Sequence, residues 1–165
     1  MKITFYADNK ILECQVGDFV KDIPASSIVR NELNRRRALH DKKQVVHAIT
    51  YDRYNKPPIM PRPFPVGVWD IHAPVKVSPD DNEWLDPYFI PTSAVQRLDI
   101  WRLDRADGYD MPTGAHVIDK GYGLHYSESI TTLGCIRIHN VNDLLWLVNV
   151  IGEEIERGHQ NTITV

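Results

Sequence analysis

GCIRIHNVNDLLWLVNVIGEEIERG (residues 134–158) changes its period part-way along. Through GCIRIH, Cys135, Arg137 and His139 alternate with Ile136 and Ile138, the two-residue period of a half-buried strand. Past Asn140 the apolar residues Leu144, Leu147, Val148 and Ile151 form the stripe of an amphipathic helix. Asn140 or Asn142 supplies an N-cap, and Gly158 after Arg157 supplies a stop. No other stretch carries so strong a helical pattern.

Outward from this unit the chain reads as strands. KITFYA and ILECQV, joined by Asp8, Asn9 and Lys10, predict a hairpin. QVVHAITY (44–51), VGVWDI (66–71), PVKVS (74–78), RLDIWRL (97–103), GYGLHY (121–126) and the terminal TITV are further strand candidates. SSIVRNELNRRRAL, with Ser26 or Ser27 as cap, predicts a short helix. Five prolines between Pro57 and Pro65 predict an extended loop, because proline offers no backbone donor to a sheet. NEWLDPYF reads as a loop in which Trp84 and Tyr88 could present a substrate or glycan surface; the remaining tryptophans are expected in the core. The expected fold is mostly β, with sandwich or barrel-like mixed sheets and a packed C-terminal helix. A single domain spans 1–165, with 1–45 as a hairpin/helix extension.

The 165 residues suffice for one buried core. Hydrophobic residues at 42% and charged residues at 25% are ordinary for a globular chain. A net charge of −3 offers no basic surface for nucleic acid, and Arg35–Arg37 form only a local cluster. No apolar run reaches the length of a membrane span. The N-terminus lacks the apolar core of a signal peptide, since Asp8, Asn9 and Lys10 interrupt it. Synthesis in the cytoplasm is therefore expected. Cys14 and Cys135 make no disulfide framework and are too few for a cysteine-rich zinc site. His116, His125 and His139 show no metal-ligand spacing, so no metal or other cofactor is expected.

Thiol chemistry needs a nucleophile, a base and oxyanion donors. GLHYSESITTLGCIRIHNVND (123–143) offers all three kinds of part. If 121–126 and 134–139 are adjacent strands, His125 and Cys135 come together as base and nucleophile. The N–H groups of Gly134 and Cys135 could serve as oxyanion donors, and Gly134 would let a reacting carbonyl approach the backbone. Arg137, one strand repeat from the sulfur, could bind a substrate carboxylate or fix the cysteine loop; its structural alternative is an ion pair with a residue such as Asp143. Tyr122 and Tyr126 flank His125 and either wall a cleft or pack. Cys14, on the first hairpin, is expected to be inert. A buried cysteine near a histidine is also an ordinary structural feature.

ITTLGCIRI resembles the signature of the L,D-transpeptidase catalytic domain (YkuD-type), on Thr132, Leu133, Gly134, Cys135, Ile136 and Arg137. His125 in GLHY matches the family's upstream histidine, and PRPFPVGVWDI (61–71) is similar to its early Pro-x-Gly-x-aromatic strand, on Pro65, Gly67 and Trp69. NVND fits the polar turn that follows. The resemblance spans about residues 60–150. It departs at Tyr126, where the family commonly has Gly, and at Leu133, often a polar position. The His–Cys spacing is also shorter than in most cell-wall members. With no third polar residue at Leu133, a backbone carbonyl or Asp119 would have to orient His125.

The resemblance implies an enzyme whose Cys135 attacks a peptidoglycan stem peptide at the carbonyl after the L-centre of its diamino acid, forming a thioester. His125 would move the protons, and Thr132, Tyr126, Asp119 and Arg137 would support the site or bind substrate. Transfer to an amine would cross-link or exchange; transfer to water would make a carboxypeptidase or endopeptidase. The short spacing resembles compact branches that serve as secreted antibacterial toxins or phage lysis proteins. Those imply delivery to the wall or periplasm and a possible immunity or delivery partner. The alternative is a non-catalytic wall-binding or interaction module on the same scaffold.

Overall fold

The computed structural model describes residues 1–28, 62–78, 87–103, 110–128, 132 and 134–165. The N-terminal hairpin forms as its alternation predicts. β1 (Lys2–Tyr6) and β2 (Ile11–Val16) pair antiparallel, Ile3 opposite Cys14 and Phe5 opposite Leu12. All four of those side chains are buried. Lys10, at φ 55°, turns the chain between them. β3 (Phe19–Ser26) continues the meander antiparallel to β2. This strand was not expected: Ser26, read as a helix cap, instead closes it. The rest of the expected 26–39 helix and the 44–51 strand lie outside the described residues.

The expected strands at 66–71, 74–78, 97–103, 121–126 and 134–139 all appear. They are β4 (Val68–Asp70), β5 (Val75–Lys76), β7 (Gln96–Leu103), β9 (Gly123–Tyr126) and β10 (Ile136–Ile138). β6 (Tyr88–Pro91) and β8 (Asp110–Asp119) are additional. Tyr88 is therefore a strand residue packed against the core rather than part of a loop surface. Trp84 lies outside the described residues. Trp69 and Trp146 pack on the core but stay part-exposed.

Nine strands form one sheet in the order β4-β11-β1-β2-β3-β10-β9-β6-β5, with β11 (Thr162–Thr164) as the terminal strand. The β1–β11 and β9–β10 pairs are parallel and the others antiparallel. β7 and β8 make a separate two-stranded ribbon. The nine-stranded sheet curls back on itself. Ile71, just past β4, bridges Thr92, just past β6. The His72 N–H donates to the Pro91 carbonyl and the Ser93 N–H to the Asp70 carbonyl, both at 2.9 Å. The expected mostly β, barrel-like architecture is what forms.

Helix α1 (Val141–Glu156) is capped by Asn140, whose side chain accepts from the Asn142 N–H at 2.8 Å. Its Leu144, Leu147 and Ile151 share one core with Leu124, Ile136 and Ile138 of β9 and β10. That burial fixes which face of β9 and β10 is left for His125 and Arg137. Among the described residues no helix is long and apolar enough to cross a membrane.

Candidate active site

β9 and β10 lie side by side in parallel, Leu124 beside Ile136, His125 beside Arg137 and Tyr126 beside Ile138. Neighbours across a ladder share a face. Leu124, Ile136 and Ile138 fill the core, so His125 and Arg137 project from the opposite face. The two strands are adjacent, as expected, and carry His125 and Arg137 on one face; Cys135 immediately precedes β10, and its Sγ faces the Gly121 carbonyl. His125 and Cys135 are thus not directly opposed.

His125 is buried, and its Nδ1 lies 3.0 Å from the Tyr126 carbonyl. A carbonyl only accepts, so Nδ1 carries the proton and Nε2 keeps a lone pair. Burial holds the imidazole below its ordinary value; the Tyr126 carbonyl opposes this and the Arg137 guanidinium adds to it. His125 is thus a neutral base in a fixed tautomer. Of the two orienting groups expected, the backbone carbonyl is the one used. Asp119 instead accepts from the Tyr122 hydroxyl at 2.6 Å. Tyr126 contributes this carbonyl, while its ring packs against the core. It does not wall the site, because it stands on the other face of β9 from His125.

Cys135 is half-buried as a residue, and the hydrogen-bond contact of its thiol is to the Gly121 carbonyl at 3.9 Å. Its pKa is pushed up to about 11, mainly by burial of the sulfur; the Gly123 N–H lowers it and Asp119 raises it. The resting group is a neutral thiol. It makes no hydrogen bond to His125, whose bonded partner is the Tyr126 carbonyl. Cys14 is fully buried on β2, free, and pushed up to about 12 by burial.

Thr132 organises the cysteine turn. Its hydroxyl donates to the Cys135 carbonyl at 2.8 Å and accepts from the Gly134 N–H at 3.2 Å. This corrects the oxyanion expectation: the Gly134 N–H is already committed, which leaves the Cys135 N–H of the expected pair. Gly134 also has another purpose than substrate approach. At φ 121°, a Cβ there would stand 2.6 Å from the Tyr122 ring and 2.7 Å from the Arg62 carbonyl. The glycine lets the turn sit against Tyr122. Ser27 ties in the end of β3, donating to the Gly134 carbonyl at 3.3 Å and accepting from the Phe64 N–H at 2.8 Å.

Arg137 Nε donates to the Ser127 carbonyl at 2.6 Å, which anchors the segment leaving β9. Its expected alternative partner, Asp143, pairs with Lys21 at 2.8 Å instead. Among the described residues Arg137 meets no carboxylate, and a planar guanidinium of this kind suits an anion. Ser26 stands beside Arg137 across the β3–β10 ladder, and its hydroxyl lies 2.9 Å from Nε2 of His139. Sequence reasoning missed Ser26, Ser27, Gln96 and the hydrogen-bonding role of Tyr122. The only signal for the serines was the alternation of FVKDIPAS, which their resemblance to helix caps obscured. Among the described residues no group of three His, Cys, Asp or Glu side chains could hold a metal ion. No family model, no curated protein and no solved structure matches the chain.

Proposed function

We propose that this protein is a cysteine-dependent enzyme of the L,D-transpeptidase type, acting on peptidoglycan stem peptides through a thioester. The observation that supports this best is His125: a buried, neutral imidazole with Nδ1 tied to the Tyr126 carbonyl, so that Nε2 keeps the lone pair, on a strand paired with the one that Cys135 leads into. In the reaction, Cys135 Sγ forms a bond to the carbonyl carbon after the L-centre of the diamino acid. Its proton passes to His125 Nε2, directly or through one water. The Cys135 N–H stabilises the oxyanion. Cleavage of the C–N bond releases the D-amino acid, whose amine takes the proton from His125. The acyl group then passes to an amine or to water. Arg137, which meets no carboxylate among the described residues, suits a carboxylate of the substrate. The short His–Cys spacing, which resembles compact branches serving as toxins or lysis proteins, favours delivery to the wall by phage lysis or a contact-dependent secretion system, with an immunity or delivery protein as partner.

The test is mass spectrometry of tetrapeptide and cross-linked muropeptides incubated with the wild type and with Cys135→Ala. The wild type yields shortened, exchanged or cross-linked products that the variant does not. Identical product profiles would sink the proposal. A second reading, a non-catalytic wall-binding module, is favoured by one observation: the thiol is neutral and not hydrogen-bonded to His125. In that case neither protein changes the muropeptides, yet both bind them.

A further inference from the structure

The stretch from Asp119, the last residue of β8, to Gly123, the first of β9, runs past the cysteine. The Gly121 carbonyl faces Sγ at 3.9 Å, and the Gly123 N–H approaches it from β9. The Tyr122 ring fills the space that a side chain at Gly134 would need, 2.6 Å from where its Cβ would stand. That ring is held on every side. Phe64 meets it edge-on at 5.8 Å. Its hydroxyl donates to Asp119 Oδ2 at 2.6 Å and accepts from Gln96 Nε2 at 2.7 Å. Gln96 also donates to the Pro63 carbonyl at 3.1 Å, joining the ribbon to the segment before β4. Such a doubly bonded phenol has one orientation, and it fixes the carboxylate that it touches.

We propose that Tyr122 is a positioning residue for Cys135: its ring seats the Gly134–Cys135 turn, and its hydroxyl holds and partly neutralises Asp119, two residues before the carbonyl that faces the thiol. The inference concerns the thiol itself and stands whether or not a stem peptide is the substrate. Among the described residues, Asp119 at the end of β8 is the charged group held by Tyr122, two residues before the Gly121 carbonyl that faces the sulfur, and Tyr122 is the titratable one from the β8–β9 link. His125 and Arg137 share one face of the paired strands β9 and β10. Burial and the Asp119 bond keep the Tyr122 phenol protonated, so it donates throughout the ordinary pH range.

The experiment is alkylation of the full chain by iodoacetamide across pH, read at the Cys135 peptide by mass spectrometry, with folding checked by circular dichroism. Asp119→Asn keeps shape but removes the negative charge. Its alkylation profile moves to lower pH, with the rate at pH 8 rising about threefold or more. Tyr122→Phe keeps the ring but leaves the Asp119 charge without its donor. Its profile moves to higher pH, and the rate at pH 8 falls. Gln96→Ala, at a part-exposed position, loosens the same phenol and moves the profile in the direction of Tyr122→Phe; it serves if Tyr122→Phe fails to fold. Opposite displacements support the proposal. Displacements in the same direction, as simple loosening of the turn would give, overturn it, and so do profiles that superimpose on the wild type.

Discussion

His125 and Cys135 divide the work of proton transfer in a way their surroundings dictate. Burial lowers the basicity of the imidazole and raises the pKa of the thiol, so both are neutral at rest. Under the proposed mechanism, kcat/KM is then level from neutrality up toward the Cys135 value of about 11, and falls only on the acid side, below the ordinary histidine value of 6.5. A rate that climbs tenfold per pH unit from 7 to 10 would mean that free thiolate reacts without His125 as its base. Stability follows the same group. A histidine whose folded pKa lies below its unfolded value contributes stability above 6.5 and loses it as pH falls through the folded value. Thermal melts of the wild type therefore drop across that window, and His125→Gln removes this part of the drop. At this scale the sequence is informative about residue types and less so about roles. Adjacent strands and alternation sufficed to put His125 and Arg137 on one face, with Cys135 at the entry to the same strand pair. That Tyr126 would serve through its carbonyl, and Gly134 through its contact with Tyr122, was not legible, because backbone partners and cross-chain packing leave no periodicity.

Element by element, what was legible follows from how strongly a segment is amphipathic. α1 was plain because its stripe, cap and stop agree, and the cap is the part with a separable effect. Asn140 accepts the Asn142 N–H at 2.8 Å on an exposed corner, apart from the Leu144, Leu147 and Ile151 contacts. Asn140→Ala is expected to cost about 1 kcal/mol, lowering Tm by roughly 2–4 °C; an unchanged Tm would show that the cap is replaced by solvent. β3, β6 and β8 escaped notice for reasons visible in their residues. β3 carries Lys21, Asp22 and Pro24, and only Ile23, Ala25 and Ser26 of its eight residues are buried. β6 is four residues long and ends on Pro91. β8 contains Pro112 and Gly114 and runs in a ribbon outside the main sheet, with Ile118 exposed. None of its residues from 114 to 119 is buried, so no buried face imposes alternation there.

For the whole molecule, the mostly β, barrel-like class was legible and the contacts that close the sheet were not. Closure depends on Ile71 meeting Thr92, two residues whose local sequence says nothing of each other. Thr92 also joins closure to the candidate site. Its N–H and its hydroxyl both donate to the Tyr122 carbonyl, at 3.0 and 2.7 Å, and its Oγ1 accepts from the Ala94 N–H at 3.3 Å. Thr92→Val keeps the shape and deletes the hydroxyl. The Tyr122 carbonyl still has the Thr92 N–H, whereas the Ala94 N–H, in a residue only 1% exposed, loses its partner. The expected cost is about 1–3 kcal/mol, seen as a Tm lower by roughly 3–8 °C. Because one bond still holds the Tyr122 backbone, its ring stays beneath Gly134, and the Cys135 alkylation rate is expected to remain within about twofold of wild type. A melt combined with the alkylation assay separates the alternatives. Loss of stability with an intact thiol profile means that closure stabilises the barrel while the 119–123 turn governs the nucleophile. A thiol profile that moves with Tm would instead make closure and the cysteine turn one cooperative unit, with Tyr122 as the link between them.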